Sequence, residues 1–207
     1  MSAVEFFESM AAEYDGWFDD YPLILESEIE AVRRVTPPFK RAVEVGVGTG
    51  RFAAALGIGL GVEPAAAMAA MACARGITVV AGRAEALPLH DTSFDTLFMI
   101  TVDCYLPELA PALRECWRVL EPGGALVVGH VDIDAPLGVV YEEARKSDPF
   151  YANAYLRGCK EIIAALEAAG FTVEEVCQTV YSFENRRHEI RAGHGAGVFA
   201  ALRARKG

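Results

Sequence analysis

Apolar positions along this chain switch repeatedly between a helical period and short unbroken runs. Phe6, Phe7, Met10 and Tyr14 fall at helical spacing across residues 3 to 18, and Leu25, Ile29 and Val32 give a second stripe. Pro22 suits the first turn of that second helix, and Pro37-Pro38 stop it. From Arg41 onward, β-branched runs alternate with helical segments, which argues a parallel sheet with helices on both faces. Strands are expected near 41 to 45, 58 to 62, 77 to 80, 94 to 100 and 124 to 131. Between them, residues 51 to 56 allow only a short helix, and the Ala- and Met-rich stretch 64 to 75 ends at Gly76. A third helix over 108 to 120 carries Leu109, Leu113, Cys116, Trp117 and Leu120 on one face, so Trp117 reads as core. Gly123-Gly124 are expected to end it and launch the fifth strand, whose apolar run from Ala125 to Val128 suits a buried position. A helix over 160 to 169, a strand over 171 to 180 and a last strand over 197 to 202 complete the pattern. Residues 132 to 157 and 181 to 196 read as irregular.

Composition narrows the function classes. A chain of 207 residues suits one domain by a prior of roughly 150 residues each, and 53% apolar content is ample for a buried sheet. A formal net charge of -10 argues against a nucleic-acid partner, since binding phosphates without a basic patch forgoes counterion release. No stretch approaches the ~18 uncharged apolar residues of a membrane span. Glu5 and Glu8 stand where a signal peptide would be basic, so the cytoplasm is the expected location. Cys73, Cys104, Cys116, Cys159 and Cys177 are odd in number and contain no C-x-x-C pair, so neither a disulfide framework nor a metal site is expected. They read as small buried hydrophobes, with the sharper alternative that Cys104, just past a strand end, touches a substrate or a soft metalloid.

The chemistry concentrates in Glu44-Val45-Gly46-Val47-Gly48-Thr49-Gly50, which follows the first strand and is followed by Glu63. Glycines at alternate positions let a turning backbone approach a ligand closely, and an acid at the tip of the next strand can accept hydrogen bonds from a ribose diol. The dinucleotide fingerprint wants G-x-G-x-x-G and a pyrophosphate at a helix N-terminus. Here the third glycine arrives one residue early, Arg51 takes its place, and Glu44 precedes the first glycine. An adenosine carrying a sulfonium and an ammonium but no phosphate fits these changes. A nicotinamide oxidoreductase conflicts with them.

Four blocks carry a family resemblance: Glu44 to Phe52; Gly61-Val62-Glu63-Pro64; Gly82 to Pro88 with Ser93-Phe94-Asp95; and Leu113 to Gly124. Together they span Arg41 to Gly129, and on them the chain resembles the class I S-adenosylmethionine-dependent methyltransferases, among them the ubiquinone and menaquinone biosynthesis C-methyltransferases. The resemblance implies an α/β fold with a three-layer Rossmann-like sheet of seven strands, order 3-2-1-4-5-7-6, the last antiparallel. It implies one domain over 1-207: lid helices at 1-38, a cofactor-binding core at 39-131, a substrate cap at 132-157, and a C-terminal helix and strand pair at 158-207. S-adenosylmethionine is the implied cofactor and S-adenosylhomocysteine its product. The implied cofactor residues are Glu44, Gly46, Val47, Gly48 and Gly50 in the loop, Glu63, Pro64 and Met68 after the second strand, Arg83, Ala84 and Glu85, Thr101, and Tyr14 from the lid. Many relatives carry an aspartate where Arg83 stands, and an arginine cannot accept a hydrogen bond from adenine. Glu85 could supply that carboxylate if the loop is turned.

Methyl transfer needs collinear positioning more than covalent catalysis, and a base only where the acceptor carries a proton. Candidates at the strand ends are Asp103, Tyr105 and His130, with Asp132 beside them. His90, His188 and His194 sit in turn-like surroundings and are set aside, and Arg186-Arg187-His188 reads as solvated. Tyr141, Tyr151 and Tyr155, with Asp148-Pro149-Phe150, either cap the substrate or pack on the core. Two classes therefore stand: an enzyme methylating a small molecule, or a module that binds S-adenosylmethionine or S-adenosylhomocysteine without turnover.

Overall fold

A computed structural model describes residues 2–152 and 154–207. Met1 and Asn153, in the lid and cap segments, lie outside the described residues. Two helices come first, α1 (Ala3–Asp20) and α2 (Pro22–Val35). Ser2 caps α1 through a reciprocal pair, its Oγ accepting from Glu5 N–H while Glu5 Oε2 accepts from Ser2 N–H. At Met10 the backbone leaves helical geometry (φ -118°, ψ 17°), so α1 runs in two pieces.

The core alternates as expected: β1 (Ala42–Val45), α3 (Arg51–Leu56), β2 (Leu60–Glu63), α4 (Ala66–Ala74), β3 (Thr78–Ala81) and β4 (Phe94–Ile100). A single 3-10 turn (Asp103–Tyr105) leads to α5 (Leu109–Val119) and β5 (Leu120–Val131). Then come α6 (Gly138–Ala144), α7 (Cys159–Ala168), β6 (Thr172–Thr179), β7 (Arg191–Ala192) and β8 (Phe199–Arg205).

The sheet order is β3-β2-β1-β4-β5-β8-β6-β7. β1 to β5 run parallel, and β8 lies between β5 and β6, antiparallel to both. This is the expected order with one strand more. The additional β7 is two residues long and pairs antiparallel with β6 through Cys177 and Gln178. A second correction concerns Gly123-Gly124. They do not stop α5, which ends at Val119; Leu120 already pairs with Phe94, and the register then shifts before Thr96 meets Ala125. The two glycines therefore lie in an irregular entry to β5, where a Cβ on Gly124 would sit 2.9 Å from the Glu121 carbonyl.

Alternate residues of each central strand feed two cores. Leu97, Met99, Leu126 and Val128 face α5 and α7, where Leu113, Cys116, Ile162 and Leu166 meet them. Phe98, Ile100 and Val127 face the other way, against Ile24 and Val32 of α2 and Phe52 of α3. Trp117 packs on the first core, edge to face with Phe171 at 4.9 Å. α1 is the element left to lie across the C-terminal strand ends, where it packs on α4. No described helix is long and apolar enough to cross a membrane.

Candidate active site

The glycine loop begins where β1 ends. Gly46, Gly48 and Gly50 all adopt positive φ, at 68°, 54° and 83°. At Gly46 a Cβ would also stand 2.4 Å from Val102. Gly48 N–H donates to Glu63 Oε2 at 3.0 Å and Ala65 N–H donates to Oε1 at 2.9 Å, so the loop and the start of α4 fix this carboxylate between them. Burial raises the Glu63 pKa against those two hydrogen bonds.

Around Glu63 opens a cavity of about 120 Å³. Gly46, Gly48, Pro64 and Met68 line one side, Arg83, Ala84 and Glu85 another, and Tyr14 and Thr101 close it. Glu44 and Val47 line a small adjoining recess, which Tyr14, Gly46, Gly48 and Thr101 share. Gly50 lines neither; a Cβ there would come 3.0 Å from Ala72, so its expected ligand contact gives way to the close approach of α3 and α4. Glu44 is buried, its Oε2 has no partner among the described residues, and desolvation holds its pKa well above the carboxylate range. An orphan carboxyl oxygen in such a place is costly unless a ligand donates to it. Arg83 Nη2 donates to Glu85 Oε1 at 3.1 Å, so the arginine reaches along the cavity rim to the one carboxylate of that loop.

Several wall residues carry no motif. Ala3, Val4 and Phe7 of α1 line the cavity around Glu63, as do Val102 and Leu106 beyond β4. Thr101 adopts φ 52°, strained for a β-branched side chain, and lines the same walls as Tyr14. Asp15 ties α1 down. It receives Arg51 Nε at 2.9 Å, Arg51 Nη2 at 2.7 Å and Arg75 Nη2 at 2.8 Å. Burial opposes its charge, but these donors, with Thr49, hold its pKa well below the usual range.

A second chamber, about 130 Å³, adjoins the first and shares Tyr14, Thr101 and Tyr105 with it. Its other walls are mostly aromatic: Trp17, Phe18, Phe52, Tyr141, Phe150 and Tyr151. Phe7 meets Tyr105 edge to face at 4.8 Å, and the Tyr105 hydroxyl donates to the Phe150 carbonyl at 3.4 Å. α1 and the segment after β5 thus close over the same space. Tyr155 is exposed and lines neither cavity. Burial pushes the Tyr14 and Tyr105 phenols above their ordinary values, so both keep their protons at neutral pH. Cys104 lines the chamber, but burial and the nearby Asp103 raise its thiol well above 9.0, and Sγ bonds the Thr101 carbonyl at 3.3 Å. It is a protonated wall group, not a thiolate ligand.

Asp103 and His130 lie elsewhere. Neither lines either cavity; His130 Nδ1 is 2.7 Å from Asp103 Oδ2 and Nε2 is 3.0 Å from the Arg157 carbonyl, with both side chains buried. A carboxylate and a carbonyl both accept, so this arrangement favours the doubly protonated imidazole. Burial disfavours that cation, but the charge and hydrogen bond of Asp103 outweigh it and raise the pKa. With both ring nitrogens engaged by protein atoms, His130 presents neither to the two cavities. Asp132 is equally committed, Oδ1 accepting from Cys159 and Asp134 N–H and Oδ2 from Gly195 N–H. Of the Arg186-Arg187-His188 cluster, the arginines are exposed as expected, whereas His188 is buried and accepts the Tyr181 N–H at 3.3 Å.

Sheet order, glycine loop and an acid at the tip of β2 define a Rossmann-like protein built for a nucleoside cofactor. A methyltransferase domain model matches residues 43–128. A crystal structure from Thermotoga maritima, described as an S-adenosylmethionine-dependent methyltransferase and possible histamine N-methyltransferase, is 39% identical, covers 99% of each chain and superposes with a TM-score of 0.95. An uncharacterized protein of Methanocaldococcus jannaschii is 38% identical over 97% of this chain and 98% of its own. The malonyl-[acyl-carrier protein] O-methyltransferase of Methylococcus capsulatus is 31% identical over 80% of this chain and 64% of its own length. The chain belongs to the S-adenosylmethionine-dependent methyltransferases, and its cofactor is S-adenosylmethionine.

Proposed function

We propose that the protein transfers the methyl group of S-adenosylmethionine to a small molecule seated in the aromatic chamber, by in-line displacement. The observation that carries this is the shared wall: Tyr14, Thr101 and Tyr105 face both cavities, so donor and acceptor would meet across them. The residues fit the cofactor. Glu63 would hold the ribose diol, the unpartnered Glu44 Oε2 would take the ammonium, and Glu85 with the Ala84 N–H would face the adenine. When bound, S-adenosylmethionine supplies a methyl group activated by a sulfonium.

This chain's own contribution is positioning and exclusion of water. Alignment of two reactants can lower a barrier by up to roughly 7 to 11 kcal/mol. α1 and the cap close the space with apolar walls, which strengthens electrostatic effects on a reaction that moves positive charge. Tyr105 acts as an uncharged wall and donor. The lining supports a small acceptor with ring or apolar character, because aromatic side chains face the space where it would sit. Histamine, named in the description of the Thermotoga maritima relative, is a single-ring molecule of this kind.

Calorimetry with S-adenosylmethionine, S-adenosylhomocysteine and NAD tests the donor half; tightest binding of NAD would sink the proposal. Incubation with S-adenosylmethionine and a panel of single-ring amines, acids and phenols, read by mass spectrometry, tests transfer. Tight cofactor binding without methylation of any panel member would favour the binding-module alternative.

A further inference from the structure

We propose that the methyl acceptor is a small amine, held as its ammonium by the aromatic walls of the chamber and by Glu28, which takes the proton that must leave before nitrogen can attack. The proposal rests on the assignment of this chamber to the acceptor. Glu28 belongs to α2, and its carboxylate lines the chamber beside Tyr14 and Tyr141. Among the described residues no group donates a hydrogen bond to it, burial is the one influence on its titration, and no Lys, Arg or His lines the chamber. The one other acid on the wall, Asp148, already accepts the Phe150 N–H through Oδ1.

Glu28 is half-buried, and a carboxyl group among aromatic rings with no protein donor is better satisfied when a ligand brings a donor or a counter-charge. Ring faces attract cations, most strongly where water is excluded. Both features select the same ligand: an organic cation with N–H bonds. An anionic acceptor would meet two acidic side chains and no basic one, and an apolar one would leave Glu28 without a partner.

The step balances. A proton passes from the ammonium nitrogen to a Glu28 oxygen. The freed lone pair forms the N–C bond to the methyl carbon as the C–S bond breaks, its electron pair staying on sulfur as a thioether. Nitrogen then carries the positive charge that sulfur lost, and the proton on Glu28 returns to water as product leaves. Burial pushes the Glu28 carboxyl up to about 8, suited to accepting a proton near neutral pH. The titratable groups sharing the chamber are Tyr14 from α1, Cys104 and Tyr105 after β4, Tyr141 from α6, and Asp148 and Tyr151 from the cap. Burial raises the four phenols and the thiol further above their ordinary values, so they stay protonated across the neutral range.

The test is calorimetry on the full chain saturated with S-adenosylhomocysteine, titrated with benzylamine and with benzyl alcohol, an uncharged molecule of the same shape. We expect benzylamine to bind at least about 10-fold tighter, from its charge-assisted hydrogen bond and the ring faces. Glu28→Gln should remove that preference and leave S-adenosylhomocysteine affinity unchanged, since Glu28 lies outside the cofactor cavity. Tyr141→Leu should weaken benzylamine more than benzyl alcohol. Equal binding of the two probes by the unmodified chain, or a preference that survives Glu28→Gln, overturns the proposal. Failure of S-adenosylhomocysteine to bind would remove the parent assignment as well, a result distinct from loss of amine preference alone. Should Glu28→Gln fail to fold, the two-probe comparison on the unmodified chain decides the matter.

Discussion

Replacing Asp15 by alanine should loosen α1 from the molecule and weaken cofactor binding, although Asp15 lines neither cavity. Its carboxylate takes three charge-assisted hydrogen bonds, two from Arg51 and one from Arg75, and Arg75 also donates to the Thr49 carbonyl. Hydrogen bonds to charged groups contribute about 1.5–3 kcal/mol each, but their sum overstates the loss. Arg51 keeps Asp19 as a partner, and the two guanidinium side chains are 18% and 27% exposed, so water recovers part of their solvation. Breaking a buried pair by removing one partner costs about 3–5 kcal/mol, and partial exposure points to the lower end. About 3 kcal/mol is roughly a hundredfold in the docking equilibrium of α1. Hydrogen exchange should therefore show protection across residues 3 to 20 falling by that order, and calorimetry should show weaker S-adenosylhomocysteine binding, because Ala3, Val4, Phe7 and Tyr14 form one wall of its cavity. The pH dependence supplies a control. The folded pKa of Asp15 is lowered from 3.8, so its stabilisation is fully present above that value and is lost only as pH falls through the folded pKa. Results at pH 6 and pH 8 should agree for this latch. Unchanged α1 exchange together with unchanged cofactor affinity would refute the reasoning.

Three further outcomes are expected. Glu63→Ala should raise the dissociation constant for S-adenosylhomocysteine by about 100-fold or more, since it removes the proposed ribose acceptor and frees the Gly48 and Ala65 N–H groups; titration calorimetry would show it. Gly46→Ala should lower the melting temperature and weaken cofactor binding, because a Cβ would sit 2.4 Å from Val102 at a φ of 68°, where strain costs about 1–3 kcal/mol; binding like the unmodified chain would contradict the loop geometry. His130→Leu should destabilise by about 3–5 kcal/mol while folded enzyme keeps its turnover within a few-fold. Because the folded pKa of His130 is raised above 6.5, its stabilisation is complete below 6.5 and declines as pH rises through the folded value, so denaturant melts of the two proteins should converge on the alkaline side. A turnover loss that exceeds the unfolded fraction would restore His130 as a catalytic candidate.

Strand β4 was legible to the residue because Leu97, Met99 and their alternates Phe98 and Ile100 are all buried, and an unbroken apolar run has one economical place in a sheet. β7 was not, since Arg191 and Ala192 are exposed and leave no hydrophobic trace. α6 escaped for a related reason: Val139 and Val140 are exposed, so its apolar positions do not define a buried face. Gly50 was assigned to the ligand because spacing cannot distinguish a glycine that admits a cofactor from one that admits a helix. His130 and Asp103 stand 27 residues apart, and only parallel pairing of β4 with β5 brings them into contact, at 2.7 Å. A histidine at a strand end reads the same whether it faces a substrate or is locked in a buried pair.

The same physics explains why the donor half was readable and the acceptor half was not. Cofactor contacts come from short segments at the tips of consecutive strands, and each contact needs a particular residue type: glycine for positive φ, a carboxylate for a diol or an ammonium. Such requirements leave marks in local sequence. The proposed acceptor chamber instead draws Tyr14 and Trp17 from α1, Glu28 from α2, Tyr105 from the turn after β4, and Tyr141 and Tyr151 from the segment after β5. Within each segment an aromatic at helical spacing is indistinguishable from core, and Glu28 falls on a helix that also carries the exposed acids Glu26 and Glu30. What separates Glu28 from them is the space in front of it, which exists only once α1 has crossed the sheet. If the chamber takes the acceptor as proposed, its specificity depends on the docking of α1, and loosening the Asp15 latch should reduce discrimination between benzylamine and benzyl alcohol as well as cofactor affinity.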